Sequence, residues 1–157
     1  MKKIQISWVL VVVLSVVVAI FAYKFTVGNV APSDDGRQTV ILTKDERNAI
    51  LLEMRVWLSS VQGVLNAALK NDIAEVEKIA RASGMQAEAE TPGSLFRKIP
   101  LEMKKLGFAT RAKFDEIAEM AKNMKSNQEI MLHLSETMNS CIACHDVYRL
   151  VAEPVKK

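Results

Sequence analysis

Two hydrophobic patterns divide the chain. From Ile4 to Tyr23 the residues are uncharged and dominated by Val, Ile, Leu and Ala, with Trp8 and Tyr23 near the ends of the run. At 1.5 Å per residue a helix of this length spans about 30 Å, the thickness of a bilayer's hydrocarbon core. From Thr43 onward the apolar positions recur at helical spacing and are interrupted by polar start signals. The pattern therefore predicts one N-terminal transmembrane helix followed by an antiparallel four-helix bundle, an all-α chain. Between them, residues 24–42 contain Gly28, Pro32, Ser33, Asp34, Asp35 and Gly36, which break any helical period and read as a tether. Thr39 to Leu42 is a short apolar lead-in. The expected organisation is an anchor or signal segment at 1–23, a tether at 24–42 and a helical domain at 43–157.

Within that domain, Thr43-Lys44-Asp45-Glu46 is a capping box. It opens a helix whose stripe runs through Ile50, Leu51, Met54, Trp57, Leu58, Val61, Val64, Leu65 and Ala68. Asn71 to Glu75 supplies a second box, and the stripe after it stops at Ser83-Gly84. Residues 85–99 read as irregular, with Thr91-Pro92 able to start one short turn and with Leu95 and Phe96 covering the core. Pro100 opens a third helix carrying Leu101, Met103, Leu106, Phe108, Phe114, Ile117, Ala118 and Ala121 on its apolar face, and Gly107 loosens its first turns. Ser126 to Glu129 is a third box, and the last helix is expected to run through Val151 and stop at Pro154. No solenoid repeat is present.

The apolar run at the N-terminus is longer than the roughly 7 to 15 residues usual for a cleaved signal peptide, which favours a retained anchor. The nearest small-x-small site, Asn29-Val30-Ala31, is followed by Pro32. Lys2 and Lys3 outweigh Lys24 across the run, which predicts a cytoplasmic N-terminus and a domain on the far side of the membrane. The formal charge of +3 includes those two lysines, so residues 24 onward hold 19 basic against 18 acidic groups. Such a balance gives no basic field for nucleic acid.

The candidate chemistry is Cys141-Ile142-Ala143-Cys144-His145, a C-x-x-C-H run holding both cysteines of the chain. This is the attachment pattern of a c-type haem. Two thiols add to neighbouring vinyl groups on one haem edge, and the adjacent imidazole ligates the iron. On a helix, positions i, i+3 and i+4 share a face, so the three side chains can meet one flat cofactor. The other readings of the pair are a bare dithiol, as in a tethered dithiol oxidoreductase, and a metal clip. The second histidine, His133, lies twelve positions before His145 on the same helix, about 120° round and about 18 Å along, and cannot share its iron. It reads as an ordinary histidine without a carboxylate pair at ligand spacing. Trp57 and Phe114 read as core or pocket lining. No Gly-rich phosphate loop, Ser/His/Asp set or paired catalytic carboxylates occur, so an enzyme is not expected.

The longer run Cys141-Ile142-Ala143-Cys144-His145-Asp146-Val147-Tyr148-Arg149 resembles the C-terminal signature C-x-x-C-H-x-x-Y-R of cytochrome c-prime and its low-spin relatives. In helix order the resemblance extends over residues 43–152. It implies a four-helix bundle with one covalent haem c near one end, His145 as the proximal iron ligand and Arg149 close to it. In that family the first helix supplies the distal side. Met54 would fill the iron's sixth position in a low-spin electron carrier, since a Met/His pair raises the potential. Leu51 would cap an open, gas-binding iron in a high-spin protein. Arg47, one turn before Leu51, resembles the arginine that the high-spin branch places beside a haem propionate, and Arg55 flanks the same region; the bland reading of Met54 is core packing. The anchor departs from the soluble members. The expectation is a single-haem, electron-transferring cytochrome on the periplasmic face of a bacterial cytoplasmic membrane, with residues 4–23 in the membrane, a redox protein as partner, and a homodimer as a further option. Its alternative is a five-coordinate protein that binds NO or CO.

Overall fold

In the computed structural model, which describes residues 2–90 and 92–154, six helices hold most of the chain and three short strands join its two ends. Helix α1 covers Lys2–Val27, and its Val, Leu, Ile and Phe side chains from Val9 to Phe25 are exposed all round. A helix whose apolar side chains stay exposed on every side over most of its length, with only its last turn against the domain, suits lipid rather than water. The span from Trp8 to Val27 is long and apolar enough to cross a membrane. The side chains of Lys2 and Lys3, on which the expected orientation rests, lie outside the described residues, as does Thr91.

Helix α2 (Lys44–Leu69) starts at the expected capping box: Thr43 Oγ1 accepts from the Glu46 N–H, and the Glu46 carboxylate accepts from the Thr43 N–H. Helix α3 (Ile73–Ala82) is capped by Asp72, which accepts from the Glu75 N–H, while the Glu75 carboxylate turns to Lys78 instead of closing a box. A 3-10 turn (Met85–Glu90) and helix α4 (Gly93–Lys98) occupy the stretch expected to be irregular. Helix α5 (Leu101–Lys122) follows Pro100 and passes Gly107 without a break. Helix α6 (Asn127–Val147) starts at the reciprocal Ser126–Glu129 box. Helix α3 packs on α2 and α5, and α6 packs on α5 and α2.

The all-α expectation needs correction at both ends of the domain. Residues read as a tether form β1 (Val30–Pro32) and β2 (Gln38–Leu42), an antiparallel pair. The last helix does not run on through Val151. It ends at Val147, and Tyr148–Ala152 is strand β3, paired parallel to β2 with Gln38 opposite Tyr148 and Leu42 opposite Ala152. The β-branched and aromatic run at the C-terminus finds in β2 a partner that local periodicity does not reveal. Val40 and Leu42 are fully buried beneath the sheet.

The core falls into two clusters. One joins Val64, Val76, Phe114, Ile117, Ile130 and Leu134 among α2, α3, α5 and α6. The other joins Val40, Leu42, Ile50, Leu95, Met103 and Tyr148 around the sheet. A cavity lies between them.

Candidate cofactor site

The cavity has a volume of about 470 Å³. Ile50, Leu95 and Met103 reach it from the sheet-side cluster, and Trp57, Val61 and Phe114 from the helical one. Close-packed interiors rarely hold a void much larger than a water molecule, so an apolar space of this size in the middle of a domain has the dimensions of a ligand pocket.

One wall belongs to α6. Cys141, Cys144 and His145 all line the cavity, together with Thr137, Met138 and Ser140. Thr137 is fully buried and donates its hydroxyl to the His133 carbonyl, which keeps that polar group off the apolar space. Both thiols are partly buried and free, and burial pushes each above the ordinary range of a cysteine. The facing helix is α2, where Leu51, Met54 and Arg55 line the same cavity. A smaller adjoining cavity of about 170 Å³ shares Leu51, Met54, Met103, Cys144 and His145 and adds Arg37, Tyr148, Arg149 and Leu150.

The fold thus brings Cys141, Cys144 and His145 to one space with Met54 and Leu51. Arg149 lines the smaller cavity but spends its guanidinium elsewhere, donating to Ser33 Oγ at 2.9 Å and lying 3.9 Å from Asp35. Arg47 donates to the Leu150 carbonyl at 3.2 Å and so ties α2 to β3; neither cavity counts it in its lining.

Residues that the linear pattern did not single out complete the site. Arg37, in the turn between β1 and β2, donates to the His145 carbonyl at 3.3 Å and is held by Asp35 at 2.6 Å. Hydrogen bonds from Arg37 and from Ser33 hold the Asp35 carboxyl well below the usual carboxylate range. The turn between β1 and β2 is therefore the support behind the histidine. Arg111, almost fully buried, lines the large cavity, pairs with Glu53, donates to the Gly84 carbonyl at 3.4 Å and lies 5.3 Å from the Trp57 ring centre. Lys104, also buried, lines the cavity and donates to the Phe25 carbonyl at 2.9 Å. In the sequence these two positions carry no signal that separates them from ordinary charged residues of a helix surface.

His133 is not isolated from carboxylates: Glu116 lies 2.8 Å from its Nε2 and Glu136 3.8 Å from its Nδ1. Among the described residues, no group of three or more His, Cys, Asp and Glu side chains is arranged to hold a bare metal ion.

No protein-family model matches the chain, and no curated protein or solved structure matches it either. The functional reading rests on the site itself.

Proposed function

We propose that the chain is a c-type cytochrome with one covalently attached haem. More particularly, it is a membrane-anchored electron carrier whose iron is held by His145 and Met54, with the domain on the periplasmic side of a bacterial membrane. The observation that carries this reading is the apolar cavity of about 470 Å³ with Cys141, Cys144 and His145 on one wall and Met54 on the facing helix. The donor set suits the group: two thiols for thioether links, an imidazole beside them, and a thioether sulfur across the space. When bound, a haem supplies a one-electron couple at its iron.

The protein's own share is positioning and exclusion of water. Cys141 and Cys144 fix one edge of the group, and the Arg37 bond to the His145 carbonyl fixes the turn of α6 that carries the imidazole. The apolar lining disfavours water, and at its wall the Glu53 carboxylate pairs with the buried Arg111 guanidinium. The four longer helices of the domain, with α3 and α6 each packed on both α2 and α5, support the bundle architecture that the nine-residue signature implies.

Leu51 lines the same two cavities as Met54, and this supports a second reading in which Leu51 caps a five-coordinate, gas-binding iron. The dithiol reading has less support. An attacking cysteine needs a lowered pKa, and burial acts on both thiols in the opposite direction. Two measurements test the proposal. Haem stain that persists through denaturing electrophoresis is expected from thioether links, and its absence would refute the cytochrome reading. A low-spin spectrum of the reduced protein that carbon monoxide leaves unchanged is expected from Met54 ligation; a high-spin spectrum that shifts would favour Leu51.

A further inference from the structure

The anchor and the domain meet at a built joint. Helix α1 continues to Val27, and Gly28 turns the chain with φ +73°. A β-carbon at Gly28 would stand 2.5 Å from the Lys98 carbonyl oxygen and 2.7 Å from the Pro100 nitrogen. The next residue, Asn29, donates its N–H to that same Lys98 carbonyl at 2.7 Å. Across the joint, the buried Lys104 ammonium donates to the Phe25 carbonyl and sits 3.6 Å from the Phe25 ring centre. Strand β1 begins two residues after Gly28 and is fixed in the sheet. The chain therefore has no slack between the membrane helix and the domain.

The joint also sets a height. The apolar span from Trp8 to Val27 is 20 residues long, about the thickness of the hydrocarbon core, so Phe25 lies within a turn of its edge. Lys104, bonded to Phe25, lies at the same level. On α5, Leu101 and Phe108 share a side with Lys104 by helical spacing, and Lys105, about 100° round from Lys104, stands next to Leu101 and Phe108 on the exposed side. Phe108 is 36% exposed and stacks on Phe96 of α4 with ring centres 6.0 Å apart, and both rings line the cavity. Arg97 and Lys105 are exposed beside them, Lys105 paired with the exposed Glu102 at 2.7 Å, and Lys24 stands at the end of α1.

We propose that the corner formed by α4 and the first two turns of α5 rests on the bilayer surface, with Phe108 at the acyl boundary and Arg97 and Lys105 among anionic headgroups. Aromatic rings and snorkelling cations are the residues that this layer accepts. The consequence is that the cavity's Phe96–Phe108 rim faces lipid, so what enters the cavity there comes from the lipid phase. The inference rests on the membrane-anchor part of the proposed function and not on the haem.

The test uses the full chain in phosphatidylcholine vesicles containing phosphatidylglycerol, with and without bromine on the acyl chains. A coumarin-bearing amino acid replaces Lys105 in one variant and Lys122 in another. Both positions are exposed and lie about 26 Å apart along α5. Bromine quenches only nearby fluorophores, and the ratio of the two vesicle types cancels any quenching by the protein. At least a twofold greater fractional loss at position 105 than at 122 is expected, and equal losses overturn the proposal. Release of the chain from the vesicles by alkaline carbonate overturns the anchor reading and this proposal together, whereas loss of haem stain overturns only the cytochrome reading.

Discussion

Met54 on α2 and His145 on α6 line the same two adjoining cavities, although almost the whole domain separates them in the chain. Met54 also packs with Cys144 against the sheet-side core. A side chain that only filled a gap would be replaceable by any apolar residue of its size. Ligation makes a sharper demand. Met54→Ala is expected to convert the reduced protein from a low-spin to a high-spin spectrum and to open it to carbon monoxide. Its potential should fall by on the order of 100 mV, within the roughly 0.8 V range that axial ligands command. Met54→Leu should do the same while keeping the packing. An unchanged spectrum in both variants would move the distal role to Leu51.

The parts of this arrangement that were legible in the sequence are those set by neighbours in the chain. Thr43 with Glu46 and Ser126 with Glu129 are three residues apart, so their caps follow from spacing alone. The breaks at Ser83-Gly84 and Pro100 are equally local, and they agree with the ends of α3 and the start of α5. The sheet was not legible, because its two halves lie at opposite ends of the domain. Val40 pairs with Leu150, and neither run is long enough to declare itself a strand. Missing that pairing hid Arg37, whose bond to the His145 carbonyl exists only because β2 and β3 meet. Buried cations escaped for a related reason. Lys104 and Arg111 look like ordinary helix-surface residues until the Phe25 carbonyl and Glu53 are placed against them.

Removing both attachment points should expose how much the domain depends on what its cavity holds. In Cys141→Ser with Cys144→Ser, no haem stain should survive denaturing electrophoresis. The protein should also lose several kcal/mol of stability, because about 24 cal/mol is forfeited per Å³ of unfilled space and collapse of the walls recovers only part of it. Thermal melts followed at 222 nm would show this. A double variant as stable as the parent would mean that the cavity needs no occupant.

Acid should loosen the join between α2 and α4. Glu46 caps α2 and accepts from Lys98 at 2.7 Å. Burial works to raise its pKa, but the bonds from Lys98 and Thr43 outweigh it and hold Glu46 below its ordinary value. The bond from Glu46 likewise holds Lys98 above its own. A carboxylate whose folded pKa is depressed contributes fully above its unfolded value of about 4.3, and the contribution disappears as pH falls through the folded value. For a lysine whose pKa is raised, the contribution is full below about 10.4 and is lost as pH climbs past the folded value. Glu46→Gln should therefore cost about 1–2 kcal/mol near neutral pH and progressively less below pH 4. A penalty that stayed constant from pH 7 to pH 3 would show that the charge of Glu46 contributes nothing.

Gly28 is the position where α1 and the domain leave no space for a side chain. Its φ of +73° suits glycine, and a β-carbon there would press on the backbone of Lys98 and Pro100, which cannot swing away as a side-chain tip can. The strain of a β-branched residue at such a φ is on the order of 1–3 kcal/mol, and the clash adds to it. Gly28→Val can relieve both only by moving α1 off the α4–α5 corner. That would break the Asn29 bond to the Lys98 carbonyl and the Lys104 bond to the Phe25 carbonyl. The α2, α3 and α6 core is remote from this joint, so its amide protons should exchange with deuterium as slowly as in the parent. Amides of residues 29–31, 99 and 101–105 should exchange faster. Uniform loss of protection across all helices would instead mean that the joint supports the whole domain, and unchanged protection at residues 29–31 would mean that α1 and the domain are not held together by Gly28.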